Sequence, residues 1–144
     1  MEVTIRSITI EDSEEVNDLS LQLGYQLAVA ETKEQIEKVI SAESHCAFVA
    51  VSEERVIGWI HAFITLTIES KSFVEIGGLV VDEKYRNLGT GKKLIEKIKE
   101  WAVSKKINTL RVRTNTKRSK THVFYLRNGF TEIKEQKIFQ LQLE

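Results

Sequence analysis

The residues best suited to chemistry lie in the segment Arg86 to Gly91, between an apolar stretch and an amphipathic one. Gly89 and Gly91 allow the backbone to approach a ligand closely, and Arg86 and Lys92 add positive charge. A helical pattern begins at Thr90, so this loop lies at a helix N-terminus, where unpaired N–H groups and a partial positive charge attract anions. The segment therefore predicts a site for a phosphate or pyrophosphate group.

Other glycine-rich loops fit this segment less well. A P-loop needs a glycine five residues before Gly91, where Arg86 stands, and a hydroxyl residue where Lys93 stands. A dinucleotide-binding fold needs a third glycine and normally starts near the N-terminus. The two glycines alone do not distinguish such a ligand site from a plain strand-to-helix turn with solvated lysines.

The elements that must position this loop follow from periodicity. A strand from Phe73 to Val81 leads into it and is interrupted by Gly77-Gly78, which predicts a bulge or a close backbone approach. A helix from about Thr90 to Lys105 leads out of it. Leu110 and Val112 alternate with arginines in the next strand.

The rest of the chain supplies further strands and helices, in the overall order βααβββαβαβ, which predicts an α/β fold with a mixed sheet. Two helices are expected to begin with capping boxes, and a tight turn joins two of the strands. The expected features are a strand around Val3–Ile5, a helix capped by Asp12 and Glu15 that ends near Gly24, a helix capped by Thr32 and Gln35, a strand at Cys46–Val51, a turn at Glu53–Arg55, a strand at Val56–Ile68, a short helix from Ser119 to Gly129, and a last strand containing Phe139, Leu141 and Leu143.

Two motifs in the chain, one after the other, resemble the motifs of one protein family. Arg86-Asn87-Leu88-Gly89-Thr90-Gly91 is similar to the Arg/Gln-x-x-Gly-x-Gly/Ala loop of the GNAT superfamily of acetyl-coenzyme A-dependent N-acetyltransferases. The segment from Asn115 to Tyr125, followed by Gly129-Phe130, resembles the Asn-x-x-Arg-x-x-Ala-His-x-Phe-Tyr-x-x-x-Gly-Phe pattern of one branch, with Thr121 in place of alanine. The resemblance covers the whole chain and is specific from about Glu75 to Phe130.

The resemblance implies the GNAT acyl-CoA N-acyltransferase fold, a mixed and mostly antiparallel sheet flanked by helices, with the fourth and fifth strands splayed. Backbone groups of the fourth strand would pair with the pantetheine arm of acetyl-CoA, and the glycine loop would hold the pyrophosphate. The residues that the resemblance assigns to acetyl-CoA are Leu79, Val80, Val81, Arg86, Asn87, Leu88, Gly89, Thr90, Gly91, Lys92, Asn115 and Arg118.

Two residues are candidates for proton transfer, which amine acetylation requires. Tyr125 stands where the family often has the tyrosine that protonates the coenzyme A thiolate, although it also fits a packed core tyrosine. Glu75 stands where several family members have a glutamate base, although strand alternation also allows it to face solvent.

The histidines, the single cysteine and a basic cluster are less informative. His61 and Trp59 share one strand face and either line an acceptor cleft or belong to the core. We expect His122 to make a structural hydrogen bond, His45 to be a surface residue, and Cys46 to be an inert core thiol. Their spacing indicates no metal site. The basic residues around Arg118 are either solvated or contact the 3′-phosphate of coenzyme A.

Composition bounds the remaining possibilities. The 144 residues suggest one domain over residues 1–144, and 21 basic residues balance 21 acidic ones, which disfavours a nucleic-acid or membrane partner. No signal-peptide or membrane-span pattern is present, so we expect a cytoplasmic protein.

The leading interpretation is an enzyme that transfers acetyl from acetyl-CoA to a primary amine by direct attack in a ternary complex. The alternative is an acyl-CoA-binding sensor or interaction module without significant turnover. The acceptor is not readable from the sequence, and a homodimer remains open.

Overall fold

A five-stranded mixed sheet organises the N-terminal part of the computed structural model, which describes residues 2–144. The strands lie in chain order across the sheet, with antiparallel pairing from β1 to β4 and parallel pairing between β4 and β5. The strands are β1 (Thr4–Ser7), β2 (His45–Ser52), β3 (Arg55–Thr65), β4 (Phe73–Val81) and β5 (Leu110–Val112). The predicted mixed, mostly antiparallel sheet is therefore confirmed.

Helices cover both faces of this sheet. They are α1 (Ser13–Leu21), α2 (Val29–Ser41) and α3 (Thr90–Ser104). Val16 of α1 and Ile36 of α2 pack with Val49 and Val80 in one buried cluster on one face. On the other face α3 packs its fully buried Leu94, Ile95 and Ile98, and the Leu94 side chain reaches the backbone at Gly58 of β3. The apolar stripe read from the sequence of α3 is thus its core face.

Two of the predicted helix caps are wrong. Asp12 does precede α1, but its carboxylate accepts hydrogen bonds from Arg6 (2.8 Å) and from the backbone N–H of Thr9, while Glu15 accepts from the backbone N–H of Val56 at 2.8 Å. The second helix begins at Val29, so Thr32 is buried inside it and its hydroxyl accepts from Asn17. In both cases a tertiary partner competes successfully for the polar side chain.

The turn between β2 and β3 is as tight as the sequence indicates. Glu53 and Glu54 both have positive φ, 51° and 65°, which is the backbone of a two-residue hairpin loop. β3 ends at Thr65 rather than continuing to Ile68, whose side chain is exposed.

The C-terminal residues Arg113–Glu144 form a second compact unit. It contains the helix α4 (Ser119–Arg127), which ends before Gly129 as predicted. The predicted last strand is wrong, because residues 130–144 have no strand partner in the part of the chain that the structure describes. Phe139, Leu141 and Leu143 alternate as a strand would, yet they are 79–88% exposed.

Candidate functional site

The N-terminus of α3 has the features of an anion site. Gly89 precedes the helix in a left-handed conformation, with φ of 82°, which glycine adopts without strain. No side chain caps the helix, and its first turn carries Lys92 and Lys93 but no acidic residue. The hydroxyl of Thr90 is buried and has no hydrogen-bond partner among residues 2–144. These unsatisfied donors fit a phosphate or pyrophosphate group.

The loop before α3 is held against the end of β4. The backbone N–H of Asp82 donates to the carbonyl of Ile57 in β3 at 2.8 Å, and the Asp82 carboxylate accepts from the backbone N–H of Lys84. The Arg86 Nε donates to the carbonyl of Val81 at 3.3 Å. Asn87 has a positive φ of 64°. The loop is thus fixed where β4 ends, while the Leu88 side chain stays exposed.

The outer side of β4 is only partly occupied by β5. Pairing between these strands covers Val74–Ile76 and Leu110–Val112 alone. From Gly78 to Val81, β4 is paired with β3 but, among residues 2–144, has no strand on its other side. The backbone groups of Leu79 and Val81 belong to this stretch, which leads into the loop before α3.

A bulge at the glycine pair brings aromatic side chains of β3 over β4. The register shifts between His61 and Ala62, which leaves Gly77 as the extra residue. A Cβ on Gly77 would lie 2.9 Å from His61 Nδ1, and one on Gly78 would lie 2.7 Å from the Trp59 ring. Only glycine allows this approach. The side chains of Trp59, His61 and Phe63 thereby form an aromatic wall beside the open stretch of β4. The Trp59 indole N–H is buried and has no hydrogen-bond partner in the part of the chain that the structure describes.

His45 is part of this wall, so its prediction as a surface residue is wrong. It begins β2 opposite Phe63, and its Nδ1 lies 2.9 Å from His61 Nε2, with the two rings stacked. Burial, together with His45, lowers the pKa of His61 from 6.5 to about 4. The pair is therefore hydrogen-bonded through neutral His61 at pH 7. Sequence inspection missed His45 because only the β2–β3 register places it beside His61.

Glu75 lies on the same sheet face as this wall. It is half-buried on β4 and pairs in register with Phe63 of β3 and Arg111 of β5. The Arg111 guanidinium lies over the Phe73 ring, 4.1 Å from its centroid. The Glu75 carboxylate therefore lies two residues before the bulge at Gly77.

The remaining site residues belong to the C-terminal unit. Asn115 accepts a hydrogen bond from the backbone N–H of Lys117, and its carbonyl accepts from His122 Nε2 at 2.9 Å, which confirms the structural role predicted for His122. Arg118 is exposed at the start of α4. Tyr125 is buried between Phe124 and Phe130, both edge-on. Burial raises the pKa of Tyr125 to about 12, an effect that Arg118 opposes.

The single cysteine has the environment of an unreactive thiol. Burial raises the pKa of Cys46 to about 12, so almost none of it is thiolate at neutral pH. Among residues 2–144, no group of three or more His, Cys, Asp or Glu side chains is arranged to hold a metal ion. Over the same residues, no helix is both long and apolar enough to cross a membrane.

Comparison with known proteins identifies the class. Residues 11–130 match the model of the acetyltransferase (GNAT) family, and the chain belongs to that family. This confirms the resemblance read from the two motifs. No curated protein sequence matches the chain.

Several solved structures with the same fold are aminoglycoside acetyltransferases of low sequence identity. One is aminoglycoside N-acetyltransferase AAC(6')-Iy in complex with CoA, with a TM-score of 0.89, 20% identity, and coverage of 99% of this chain and 96% of that one. AAC(6')-Ih from Acinetobacter baumannii gives 0.86 and 16%, with 99% and 100% covered. An enzyme from an uncultured soil metagenomic sample, in complex with sisomicin, gives 0.81 and 19%, with 99% and 97% covered.

Proposed function

We propose that this protein transfers an acetyl group from acetyl-CoA to a primary amine. The observation that carries the proposal is the open stretch of β4 leading directly into the uncapped N-terminus of α3. A strand edge offers backbone hydrogen bonds to an extended amide-containing arm, and a helix N-terminus attracts a pyrophosphate. These two features lie in the order in which pantetheine and pyrophosphate are joined in acetyl-CoA.

The residues fit acetyl-CoA at each point of this path. Leu79, Val80 and Val81 would pair with the pantetheine arm through their backbone. The pyrophosphate would accept from backbone N–H groups between Asn87 and Lys92, a stretch that includes Leu88, Gly89, Thr90 and Gly91. Arg86 and Lys92 supply positive charge, and in the C-terminal unit we assign Asn115 to the thioester end and Arg118 to the 3′-phosphate.

The chemistry needs no covalent enzyme intermediate. The nitrogen of the neutral acceptor amine bonds to the thioester carbonyl carbon, the carbon–sulfur bond breaks, and the coenzyme A thiolate leaves. Glu75, directly or through water, takes the proton lost by the amine. Tyr125 gives its proton to the thiolate. A pKa of about 12 keeps that phenol protonated at neutral pH, as a proton donor must be.

The acceptor we propose is a small, cationic primary amine. A carboxylate at Glu75 attracts an ammonium group. The neighbouring wall of Trp59, His61 and Phe63 carries no formal charge at pH 7, because His61 is neutral there. The aminoglycoside acetyltransferases that share the fold make polyamine antibiotics the first compounds to test.

The test is release of free thiol from acetyl-CoA in the presence of a panel of acceptors. Aminoglycosides, linear polyamines, amino acids and a peptide with a free N-terminus should be compared with matched alcohols. We expect turnover with at least one primary amine and none with the alcohols. Tight acetyl-CoA binding in calorimetry without turnover on any acceptor would instead favour the sensor or interaction module.

A further inference from the structure

A cavity of about 470 Å³ lies at the end of the sheet where β4 and β5 begin. Three of its lining residues are basic: Lys71 comes from the loop before β4, Lys106 from the loop after α3, and Arg111 from β5. None of the described residues that line it is acidic. Three separate parts of the chain therefore bring positive charge to one cavity, which we call the basic cavity.

The positive charges of the basic cavity are not neutralised by ion pairs. Among residues 2–144, Lys71, Lys106 and Arg111 make no ion pair with a carboxylate. A cation at the end of α3 also complements the helix dipole, which accounts for Lys106 but not for the other two. Unpaired cations around a cavity create a local positive potential, which attracts an anion although the chain as a whole has no net charge.

Arg111 is the best placed of the three to bind an anion specifically. Its guanidinium stacks over the ring of buried Phe73, 4.1 Å from the centroid. Stacking fixes the plane of the guanidinium and leaves its N–H donors at the edge, where a carboxylate or phosphate can accept two parallel hydrogen bonds. The wall of the cavity is fixed as well, because the backbone N–H of Val74 donates to the carbonyl of Thr109 at 2.9 Å.

The basic cavity adjoins the place that we assign to the acceptor amine. Phe73 and Glu75 are two residues apart on β4, so they share one face of the sheet and lie about 7 Å apart. Arg111 is the parallel partner of Glu75 in the sheet register. We propose that the basic cavity binds an anionic end of the acceptor, a carboxylate or phosphate joined to the amine by a spacer of about 7 Å. This inference rests on the proposed function and narrows its acceptor.

Acetyl transfer to matched amines tests the inference, with thiol release from saturating acetyl-CoA as the readout. Extended δ-aminovalerate spans about the required length, and δ-aminovaleramide has the same shape without the negative charge. We expect kcat/KM to be at least about tenfold higher for δ-aminovalerate, the effect of one charged hydrogen-bonded contact. Glycine is too short to reach the cavity and should show no such preference over glycinamide. Aminopropylphosphonate distinguishes the two anions, because a higher kcat/KM for it would assign the cavity to a phosphate-bearing acceptor.

Substitutions test whether the basic cavity is the source of the preference. Arg111→Gln should bring the ratio of kcat/KM for δ-aminovalerate and δ-aminovaleramide close to one. Lys71→Gln/Lys106→Gln should also lower this ratio, and it provides the test if Arg111→Gln does not fold, because both lysines are exposed. Arg55→Gln is the matched control: it removes an exposed arginine at the opposite end of β3 and should keep the wild-type ratio.

The outcomes separate this inference from the proposed function. Equal use of the acid and the amide by the wild type would overturn the anion site and leave amine acetylation standing. Turnover on no amine at all would overturn both. A preference for the acid that survives both sets of substitutions would mean that its carboxylate binds elsewhere, and the assignment to the basic cavity would be wrong.

Discussion

At the scale of single residues, Tyr125 carries the most direct prediction. Its ring is packed against Phe124 and Phe130, so Tyr125→Phe keeps the packing and removes only the hydroxyl. If the phenol protonates the thiolate, turnover should fall on the order of 100-fold while acetyl-CoA affinity changes little. Steady-state kinetics and calorimetry measure the two quantities. Turnover at the wild-type level in the Phe variant would leave Tyr125 as a packing residue.

Glu75 is tested through pH. Glu75→Gln should lower the rate most near neutral pH, where the acceptor amine is largely protonated and needs a base. The rate should partly recover at alkaline pH, since more of the amine is then already neutral. Glu100→Gln, an exposed position on α3, is the control for loss of a carboxylate. An equal loss at every pH would indicate that Glu75 positions the acceptor rather than taking its proton.

His61 should make the stability of the fold depend on pH. Its pKa is about 4 when folded and near 6.5 when unfolded, so between these values the unfolded chain binds more protons. The stabilisation is complete above pH 6.5 and decreases as the pH falls towards 4. Urea titrations between pH 4 and 7 should show a shallower dependence for His61→Gln than for wild type. Parallel curves for the two proteins would contradict the prediction.

The sequence predicts features that depend on a local pattern better than contacts between residues that are distant in the chain. The motif around Arg86 was sufficient to place this loop at a helix N-terminus, because helix periodicity alone predicts that α3 begins at Thr90. The partnership of His45 with His61 joins residues 16 positions apart, through a strand register that no local pattern encodes. Thr32 was misread for the same reason, since its partner Asn17 lies on another helix.

At the scale of elements, a charge reversal at the N-terminus of α3 should weaken ligand binding without weakening the helix. Lys92→Glu places an acidic residue in the first turn, where it complements the helix dipole and should leave stability unchanged or slightly raised. The same charge opposes a pyrophosphate, so acetyl-CoA affinity should fall about 10- to 100-fold, equivalent to about 1.4–2.8 kcal/mol. Calorimetry and thermal unfolding measure the two effects.

Lys99→Glu is the control for this substitution, because it makes the same charge change on the same helix away from the N-terminus. It loses only an exposed ion pair with Glu96, which contributes little to stability. Equal losses of affinity in both variants would mean that total charge, rather than the helix N-terminus, governs binding.

Strand prediction succeeded where the strand is paired and failed where it is not. β4 was predicted with its bounds and its bulge, because apolar alternation and Gly77-Gly78 are both local signals. The last strand was predicted from an equally clear alternation at Phe139, Leu141 and Leu143. The pattern indicates that a segment suits a sheet, but a strand also requires a paired neighbour, and residues 130–144 have none within the part of the chain that the structure describes.

At the scale of the whole molecule, stability should be distributed unevenly between the two compact units. The buried apolar side chains are concentrated in the unit that ends at Val112, whereas Tyr125 is the only one among the described residues of Arg113–Glu144. Few buried contacts permit local opening at a lower free energy than global unfolding.

Amide hydrogens of α4 should therefore exchange at least about tenfold faster than those of β3 and α3. Native-state hydrogen exchange followed by peptide mass spectrometry measures this directly. Saturating acetyl-CoA should slow exchange in α4 if Asn115, Arg118 and Tyr125 contact the cofactor as proposed, since a ligand that binds only the closed form stabilises it. Exchange in α4 as slow as in β3 without ligand would show that the C-terminal unit shares the stability of the sheet.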